Sequence, residues 1–219
     1  TIIAIMALTS SGIHTPKDLV GKTVAQIKGS VVQTLFPAYA RLAGIDEKSV
    51  TWHEVSKEVL PSLLIAGQAD GIGQFIPGEP GIRAASKGQP ITVLPYSEYM
   101  SDLYGNVLVT RADTHADLSR RFVRALHKGL RHAVDNPDQA GTILHDAVPT
   151  VKPDVAAAEL TLLKPYVGAP QADSVLVARS MALLQSIGLY PQGLIDAGRV
   201  FDFHVMGDAA GNTVNGGSR

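Results

Sequence analysis

The sequence of 219 residues contains no cysteine, which excludes disulfide bridges, thiolate metal ligands and cysteine nucleophiles. No hydrophobic run reaches the roughly 20 residues that a membrane-spanning helix needs; even residues 1–8 are followed directly by Thr9, Ser10 and Ser11. The sequence also lacks an excess of either charge, because 19 basic and 20 acidic residues give a formal net charge of −1. A chain with this balance offers no basic surface to DNA or RNA, and we expect no nucleic-acid partner.

Recognisable catalytic and metal-binding motifs are absent as well. The seven histidines form no HExxH pair, and His127 and His132 are five residues apart, which places them on different faces of a helix. Neither a Gly-x-Ser-x-Gly elbow nor a P-loop occurs, and residues 71–73 lack the third glycine of a dinucleotide-binding fingerprint. We therefore expect no catalytic residue, no metal and no cofactor, and we expect that the protein is not an enzyme.

Short apolar runs typical of buried strands alternate with helical segments in the first half of the chain. The runs are residues 1–8, 23–27, 50–55, 71–75, 91–94 and 106–109. This alternation predicts an α/β fold with a mainly parallel sheet covered by helices. Ser30 and Gly44 predict the two ends of the first helix, which Pro37 should kink or split. Trp52 is interpreted as a core residue of its strand.

The second half of the sequence is predicted to be mostly helical. Apolar residues recur every four positions at Leu118, Phe122, Leu126, Leu130 and Val134, which indicates a long amphipathic surface helix. Further helices are expected from about residues 138 to 147, 154 to 166 and 173 to 187. Residues 207–219 are rich in glycine and asparagine and are expected to form a loose tail.

Several segments carry a family resemblance. Residues 11–25 read SGIHTPKDLVGKTVA and closely resemble the SGI-x-TPKDLKGKTVA segment of periplasmic binding proteins. The similarity continues in register through residues 60–71, 73–75, 79–80, 104–110 and 133–140, so that it covers roughly residues 1 to 165. The sequence resembles the family of aliphatic sulfonate, taurine, nitrate, riboflavin and pyrimidine (thiamine-precursor) binders, which is described as SsuA/THI5-like or NMT1-like.

The resemblance implies a periplasmic-binding-protein-like (type II) bilobal clamp, with mainly parallel sheets flanked by helices. We expect residues 12–105 to form one complete lobe, and residues 1–11 and 106–219 to form crossover strands and the helical remainder of a first lobe. That first lobe is expected to be incomplete, because family members have a substantial stretch ahead of the quoted segment; a native chain that starts on a strand is the alternative. Lobe closure is expected through hinges near residues 7–10 and 104–107.

The function implied by the resemblance is that of the extracytoplasmic solute-binding component of an ABC importer. Its partners would be a small-molecule ligand and the permease subunits in the membrane, and we expect a monomer. Its location would be periplasmic, or extracellular and membrane-anchored. Two alternatives stay open: an enzyme of the same fold related to pyrimidine synthase, whose cysteine-rich motif is absent here, and a sensory ligand-binding module.

Residues at predicted strand ends are candidates for the ligand site. Gly29 and Ser30 follow a strand and start a helix, where they either cradle a polar group of the ligand or form an ordinary N-cap. Gln74 and Phe75 end another strand, at the sheet edge where open α/β sheets bind ligands. Glu79 lies just beyond; it either accepts hydrogen bonds from an amine or heteroaromatic ring or caps the next helix.

Tyr104 and Asn106 flank a glycine at the expected return crossover, where a side chain can reach the cleft, although such residues are also common in plain loops. The combination of amide, aromatic and carboxylate groups favours a small polar or heteroaromatic ligand, pyrimidine-like before sulfonate or nitrate. The negatively charged carboxylate of Glu79 would repel an anionic ligand.

Overall fold

The computed structural model describes residues 1–169, 172–189, 191 and 196–206. Within them, five strands form one sheet in the order β3-β2-β4-β1-β5. The strands are β1 (Ile3–Leu8), β2 (Thr23–Gln26), β3 (Thr51–Glu54), β4 (Gly71–Phe75) and β5 (Ile91–Pro95). β2 pairs in parallel with β3 and β4, whereas β1 is antiparallel to β4 and β5. Four strands therefore share one direction, which confirms the mainly parallel sheet.

The helices of the described residues alternate with these strands and then follow one another. They are α1 (Val31–Ala43), α2 (Leu60–Ile65), α3 (Glu79–Ala85), α4 (Ala116–Asp135), α5 (Pro137–Ala147), α6 (Pro153–Leu163), α7 (Ser174–Ser186) and α8 (Ala197–Val200). The predicted helical second half is confirmed. Residues 207–219, predicted to be loose, lie outside the described residues.

Helix α1 has the predicted ends. The Ser30 hydroxyl accepts a hydrogen bond from the Gln33 amide at 3.2 Å, and Gly44 closes the helix in the left-handed conformation with φ = 72°. Pro37 does not split the helix, which runs unbroken from Val31–Ala43. Phe36, Ala38, Tyr39 and Ala40 around the exposed Pro37 are buried, so tertiary packing holds this turn helical although proline removes one hydrogen bond.

The sheet has a packed layer on each face. Ile3, Ile5 and Ala7 of β1 belong to a cluster with α1 residues, while Met6 packs with α2 and α3 residues on the other face. β1 is therefore buried on both sides, as its uninterrupted apolar sequence predicts. Trp52 is partly buried and meets Phe36 edge-on, with ring centroids 5.1 Å apart, which confirms its place beside the core.

Two expectations about the crossovers are wrong. Residues 106–109 form no strand; Val109 is 82% exposed, and no strand of the described part of the chain runs beside this segment to complete its hydrogen bonds. A hinge near residues 7–10 is also contradicted, because Ala7 and Leu8 pair with β5 inside the sheet. β1 thus shares one sheet with the strands of residues 12–105. The division into two lobes stays a prediction.

Helices α4 and α5 contact the sheet lobe through α6, whereas α7 packs directly against the core cluster through Leu183 and Leu184. Gly141 of α5 lies so close to α6 that a Cβ there would meet the Pro153 carbonyl oxygen at 2.3 Å, and α6 in turn contacts α3. Along α4 the apolar face is buried at Val134, whereas its earlier members, Leu118, Phe122, Leu126 and Leu130, are 36–54% exposed. None of the described helices is long and apolar enough to cross a bilayer.

Candidate functional site

The carboxyl ends of β2 and β4 lie side by side, because the two strands pair in parallel with Val24 beside Gly71. Residues 27–30 and residues 76–79 therefore both follow strands at the same end of the sheet. β1 begins at the same edge: Ile3 pairs with Phe75, and the Ile2 carbonyl oxygen accepts a hydrogen bond from the Ile76 amide at 2.7 Å. We call this end of the sheet the carboxyl edge; in open α/β sheets it is the edge that binds ligands.

The turn between β2 and α1 is held by its own side chains. Gly29 has φ = 67° and donates its amide to Oε1 of Gln33 at 2.9 Å. Nε2 of Gln33 donates to Glu54 at 3.1 Å, and the Lys28 ammonium lies 3.4 Å from the same carboxylate. The Gln33 hydrogen bond, and then the Lys28 charge, hold the pKa of Glu54 below its usual value. Ser30 is thus a true N-cap, and the first amides of α1 have no intrahelical acceptor.

The structure places Gln74 and Phe75 on opposite faces of the sheet, since successive side chains of a strand alternate. Phe75 is 42% exposed at the strand end. The Gln74 side chain lies against Gly78, 3.0 Å from the position that a Cβ would take there, and its Oε1 accepts from the Phe75 amide at 2.8 Å. Phe75 therefore shares the α1 face of the edge, whereas Gln74 points to the α3 face.

Glu79 is the first residue of α3 and does not cap it. Gly78 occupies the N-cap position and no side chain caps the helix. The Glu79 carboxylate instead accepts hydrogen bonds from the Arg83 guanidinium, with Nε at 2.8 Å. A ligand that binds Glu79 must therefore share this carboxylate with Arg83.

Tyr104 and Asn106 lie close to the carboxyl edge but do not extend its polar cluster. The amino group of Thr1 donates to the Leu103 carbonyl oxygen at 3.1 Å, which brings this segment to the start of β1. The Tyr104 hydroxyl, however, accepts from the Asp173 amide at 2.7 Å, so its side chain is engaged with the start of α7. Asn106 is exposed in a segment without regular secondary structure.

Sequence reasoning missed Gln26. It is the last residue of β2, is 4% exposed, and its Oε1 accepts a hydrogen bond from the Ile27 amide at 2.7 Å. The signal in the sequence is a polar residue that ends an apolar run directly before the Lys28-Gly29-Ser30 turn, together with a glycine inside the neighbouring strand at Gly73.

The carboxyl edge offers an aromatic face, amide donors and the carboxylates of Glu54 and Glu79. Within the described ranges, no three His, Asp or Glu side chains cluster closely enough to hold a metal ion. We identify no pair of nucleophile and base among the candidate residues.

Comparison with known proteins agrees with the fold and the sequence segments. The sequence profile described as NMT1/THI5 like matches residues 1–140. No curated protein shows a significant match to this sequence. The periplasmic aliphatic sulphonate binding protein SsuA of Escherichia coli superposes with a TM-score of 0.67 at 18% identity, over 92% of this chain and 65% of that chain.

Two further solved structures share the fold. The ligand-binding component of an ABC-type import system from Staphylococcus aureus, solved with zinc bound, has a TM-score of 0.67 at 16% identity, covering 94% of this chain and 69% of that one. The alkanesulfonate-binding protein of Xanthomonas axonopodis pv. citri, bound to MOPS, has a TM-score of 0.58 at 16% identity, covering 91% and 67%. The chain thus spans about two thirds of these proteins. It has the periplasmic-binding-protein-like α/β fold and belongs to the NMT1/THI5-like family.

Proposed function

We propose that the protein is the extracytoplasmic solute-binding component of an ABC importer and that it captures a small polar or heteroaromatic molecule at the carboxyl edge. The observation that carries this proposal is that α1 starts directly after β2 while the exposed side chain of Phe75 ends β4, the parallel neighbour of β2, so that both lie at the carboxyl edge. Similarity to solved ABC-type binding components supports it. No group of the edge serves as a nucleophile, so binding without chemistry is the simpler use of this arrangement.

A pyrimidine-like ring is the ligand class that we favour. The ring face of Phe75 is available for stacking. The amides at the start of α1 suit a ring nitrogen or an exocyclic oxygen. A sulfonate or nitrate would use the same amides, but the carboxylate of Glu79 at the same edge offers it no donor and repels it, although the ion pair with Arg83 weakens this repulsion.

The two-lobed clamp belongs to this proposal. We assign residues 12–105, together with β1, to one lobe, and residues 106–219 to the crossover and the other lobe. The contact between Thr1 and Leu103 brings both crossovers to one place at the carboxyl edge, so rotation about residues 1–2 and 103–106 would close the lobes over the ligand. Delivery of the ligand to a membrane permease, in the periplasm or at an outer surface, completes the role.

The test is ligand capture by the purified protein. Native mass spectrometry identifies any retained small molecule, and calorimetric titration with 4-aminopyrimidine and with MOPS compares the two ligand classes. We expect 4-aminopyrimidine to bind, and Phe75→Ala to weaken it about tenfold, as expected for loss of an aromatic stacking partner. Tyr166→Ala, which removes an exposed ring from the turn after α6, is the matched control and should bind as the parent protein does.

Glu79→Gln separates the two ligand classes. If the ligand is an aminopyrimidine, removal of the carboxylate weakens binding; if it is a sulfonate, removal of the negative charge strengthens binding of MOPS. A protein that retains no small molecule and binds neither probe would contradict the proposed function. Uptake of the identified ligand by cells with and without the permease then separates import from sensing.

A further inference from the structure

The largely buried side chain of Gln26 carries a hydrogen-bond donor for which the described residues offer no partner. The residue is 4% exposed, and its Oε1 is fixed by the Ile27 amide at 2.7 Å, which identifies the other terminal atom as Nε2. Among the described residues, no group accepts a hydrogen bond from Nε2. A side-chain donor that the protein leaves unpaired at the end of β2 is available to water or to a bound molecule.

The position of Nε2 is defined by Gly73 of the neighbouring strand. A Cβ on Gly73 would lie 1.9 Å from Nε2, 2.8 Å from Cδ of Gln26 and 2.9 Å from Cγ1 of Val32. The carboxamide therefore lies flat on β4, next to the first turn of α1. In the described part of the chain, the side-chain nitrogen and oxygen atoms that are fully enclosed and lack a partner are the hydroxyl oxygens of Ser11 and Tyr39. Nε2 of Gln26 is not one of them, so it still reaches solvent.

Phe75 lies two residues beyond Gly73 on the same strand and hence on the same face of the sheet as the Gln26 carboxamide. An exposed aromatic ring, the amides of Val31 and Val32 and the side-chain donor of Gln26 thus share one face of the carboxyl edge, and none of these three donor groups has an acceptor among the described residues. Gly73 leaves space for the donor, and the bond from Ile27 keeps it from rotating away.

We propose that Nε2 of Gln26 donates a hydrogen bond to an acceptor atom of the bound ligand, a ring nitrogen or an oxygen, and that Gln26 and Gly73 together form this part of the ligand site. This inference rests on the proposed function and adds a ligand-contacting residue to it. The competing role is structural: Gln26 would serve through Oε1 alone, as the acceptor for the Ile27 amide.

Two substitutions separate these roles. Gln26→Glu keeps an acceptor for the Ile27 amide but removes the donor, whereas Gln26→Met removes both groups at similar size. If Nε2 binds the ligand, both variants lose affinity; if the role is structural, Gln26→Glu retains it. Gln89→Glu introduces the same change at an exposed residue of the turn before β5, at the opposite end of the sheet, and serves as the control.

The experiment is calorimetric titration of the parent protein and these variants with 4-aminopyrimidine and MOPS, combined with NMR of the Gln26 side-chain NH₂ group, assigned through its backbone. We expect about a tenfold loss of affinity in Gln26→Glu and Gln26→Met, none in Gln89→Glu, and a ligand-dependent shift of the Gln26 NH₂ resonances in the parent protein. If a variant fails to fold, the ligand-dependent shift of the Gln26 NH₂ resonances in the parent protein still distinguishes ligand binding from a structural role.

Failure of this inference and failure of the proposed function give different results. If the parent protein binds a probe while the Gln26 NH₂ resonances stay in place and Gln26→Glu binds normally, the inference is overturned and the proposed function stands. If the parent protein retains no small molecule and binds neither probe, the proposed function is overturned and the inference falls with it.

Discussion

Replacement of Gly73 by alanine tests the packing of the carboxyl edge without a ligand. The backbone at Gly73 is not in the left-handed region, so alanine is allowed by the strand conformation, and the obstacle is the Gln26 side chain. Three atoms, Nε2 and Cδ of Gln26 and Cγ1 of Val32, lie within 3.0 Å of the new methyl group. The carboxamide must move, and it then loses the hydrogen bond from the Ile27 amide.

The expected destabilisation follows from two contributions. Overpacking of a well-packed position costs typically about 1–3 kcal/mol, and the lost hydrogen bond adds about 1 kcal/mol. We therefore expect Gly73→Ala to lower the free energy of unfolding by about 2–4 kcal/mol. In a Gln26→Ala background the closest contacts are gone and Val32 alone remains, so the same substitution should cost about 1–2 kcal/mol less.

The assay is a double-mutant cycle by urea unfolding of the parent, the two single variants and the double variant, read at constant m-value. Gly71→Ala is the matched control on the same strand: its methyl group would meet Ile5 at 3.2 Å and the Met6 carbonyl oxygen at 3.3 Å, and it does not approach Gln26. It should show no coupling to Gln26→Ala. A harmless Gly73→Ala, or equal costs in both backgrounds, would refute the described position of the carboxamide.

Two tyrosines that stack with centroids 4.2 Å apart should respond oppositely to removal of the hydroxyl. Tyr96 donates to the Val32 carbonyl oxygen at 3.0 Å, so Tyr96→Phe should lose about 1 kcal/mol of stability in urea unfolding. The Tyr39 hydroxyl is buried without a partner in the described residues, so Tyr39→Phe should be neutral or stabilising. Equal losses of stability in the two variants would contradict this. Glu159 packs against Gly81, and burial raises the pKa of its carboxyl group above the value in the unfolded chain. The stability that the protonated carboxyl group contributes below the unfolded-state pKa is therefore lost as the pH rises through the folded-state pKa. Glu159→Gln should therefore match the parent near about pH 4 and exceed it at about pH 8, by less than about 1 kcal/mol because the side chain stays partly solvated; a difference that does not change with pH would count against this.

The strands and helices of the sheet lobe were predictable because their signals are local. The Ser30 cap, the left-handed Gly44 and the apolar runs each act within a few residues, and the structure shows all of them. Residues 106–109 look like a strand by the same criteria, but a strand also needs a neighbour to pair with, and sequence pattern contains no information on that. For the same reason the periodicity of α4 predicted its apolar face correctly but not which part of that face is buried.

The candidate site was predicted less completely, because it depends on which face of a strand each side chain takes. Gln74 and Phe75 are adjacent in sequence, and both were assigned to one ligand site, yet the alternation of the strand sends them to opposite sides of the sheet. Gln26 could not be predicted as a site residue, because a glutamine at the end of an apolar strand is not expected to be buried. Its burial is explained only when the neighbouring residue across the sheet is known to be glycine. The pairing of Gln26 with Gly73 is a long-range relation, set by the β2 and β4 register.

The hydrogen bonds of the carboxyl edge also bear on which ligand it selects. The Ser30 hydroxyl, the Gly29 amide and the Gln74 carbonyl are satisfied within the chain, and the Glu79 carboxylate is paired with Arg83. A ligand that relies on these groups must displace an existing partner and gains little net free energy. Nε2 of Gln26 and the first amides of α1 need no such exchange, and all of them are donors. The arrangement therefore favours ligands rich in acceptor atoms with a flat apolar face for Phe75, which a pyrimidine-like ring provides more fully than a compact anion such as nitrate.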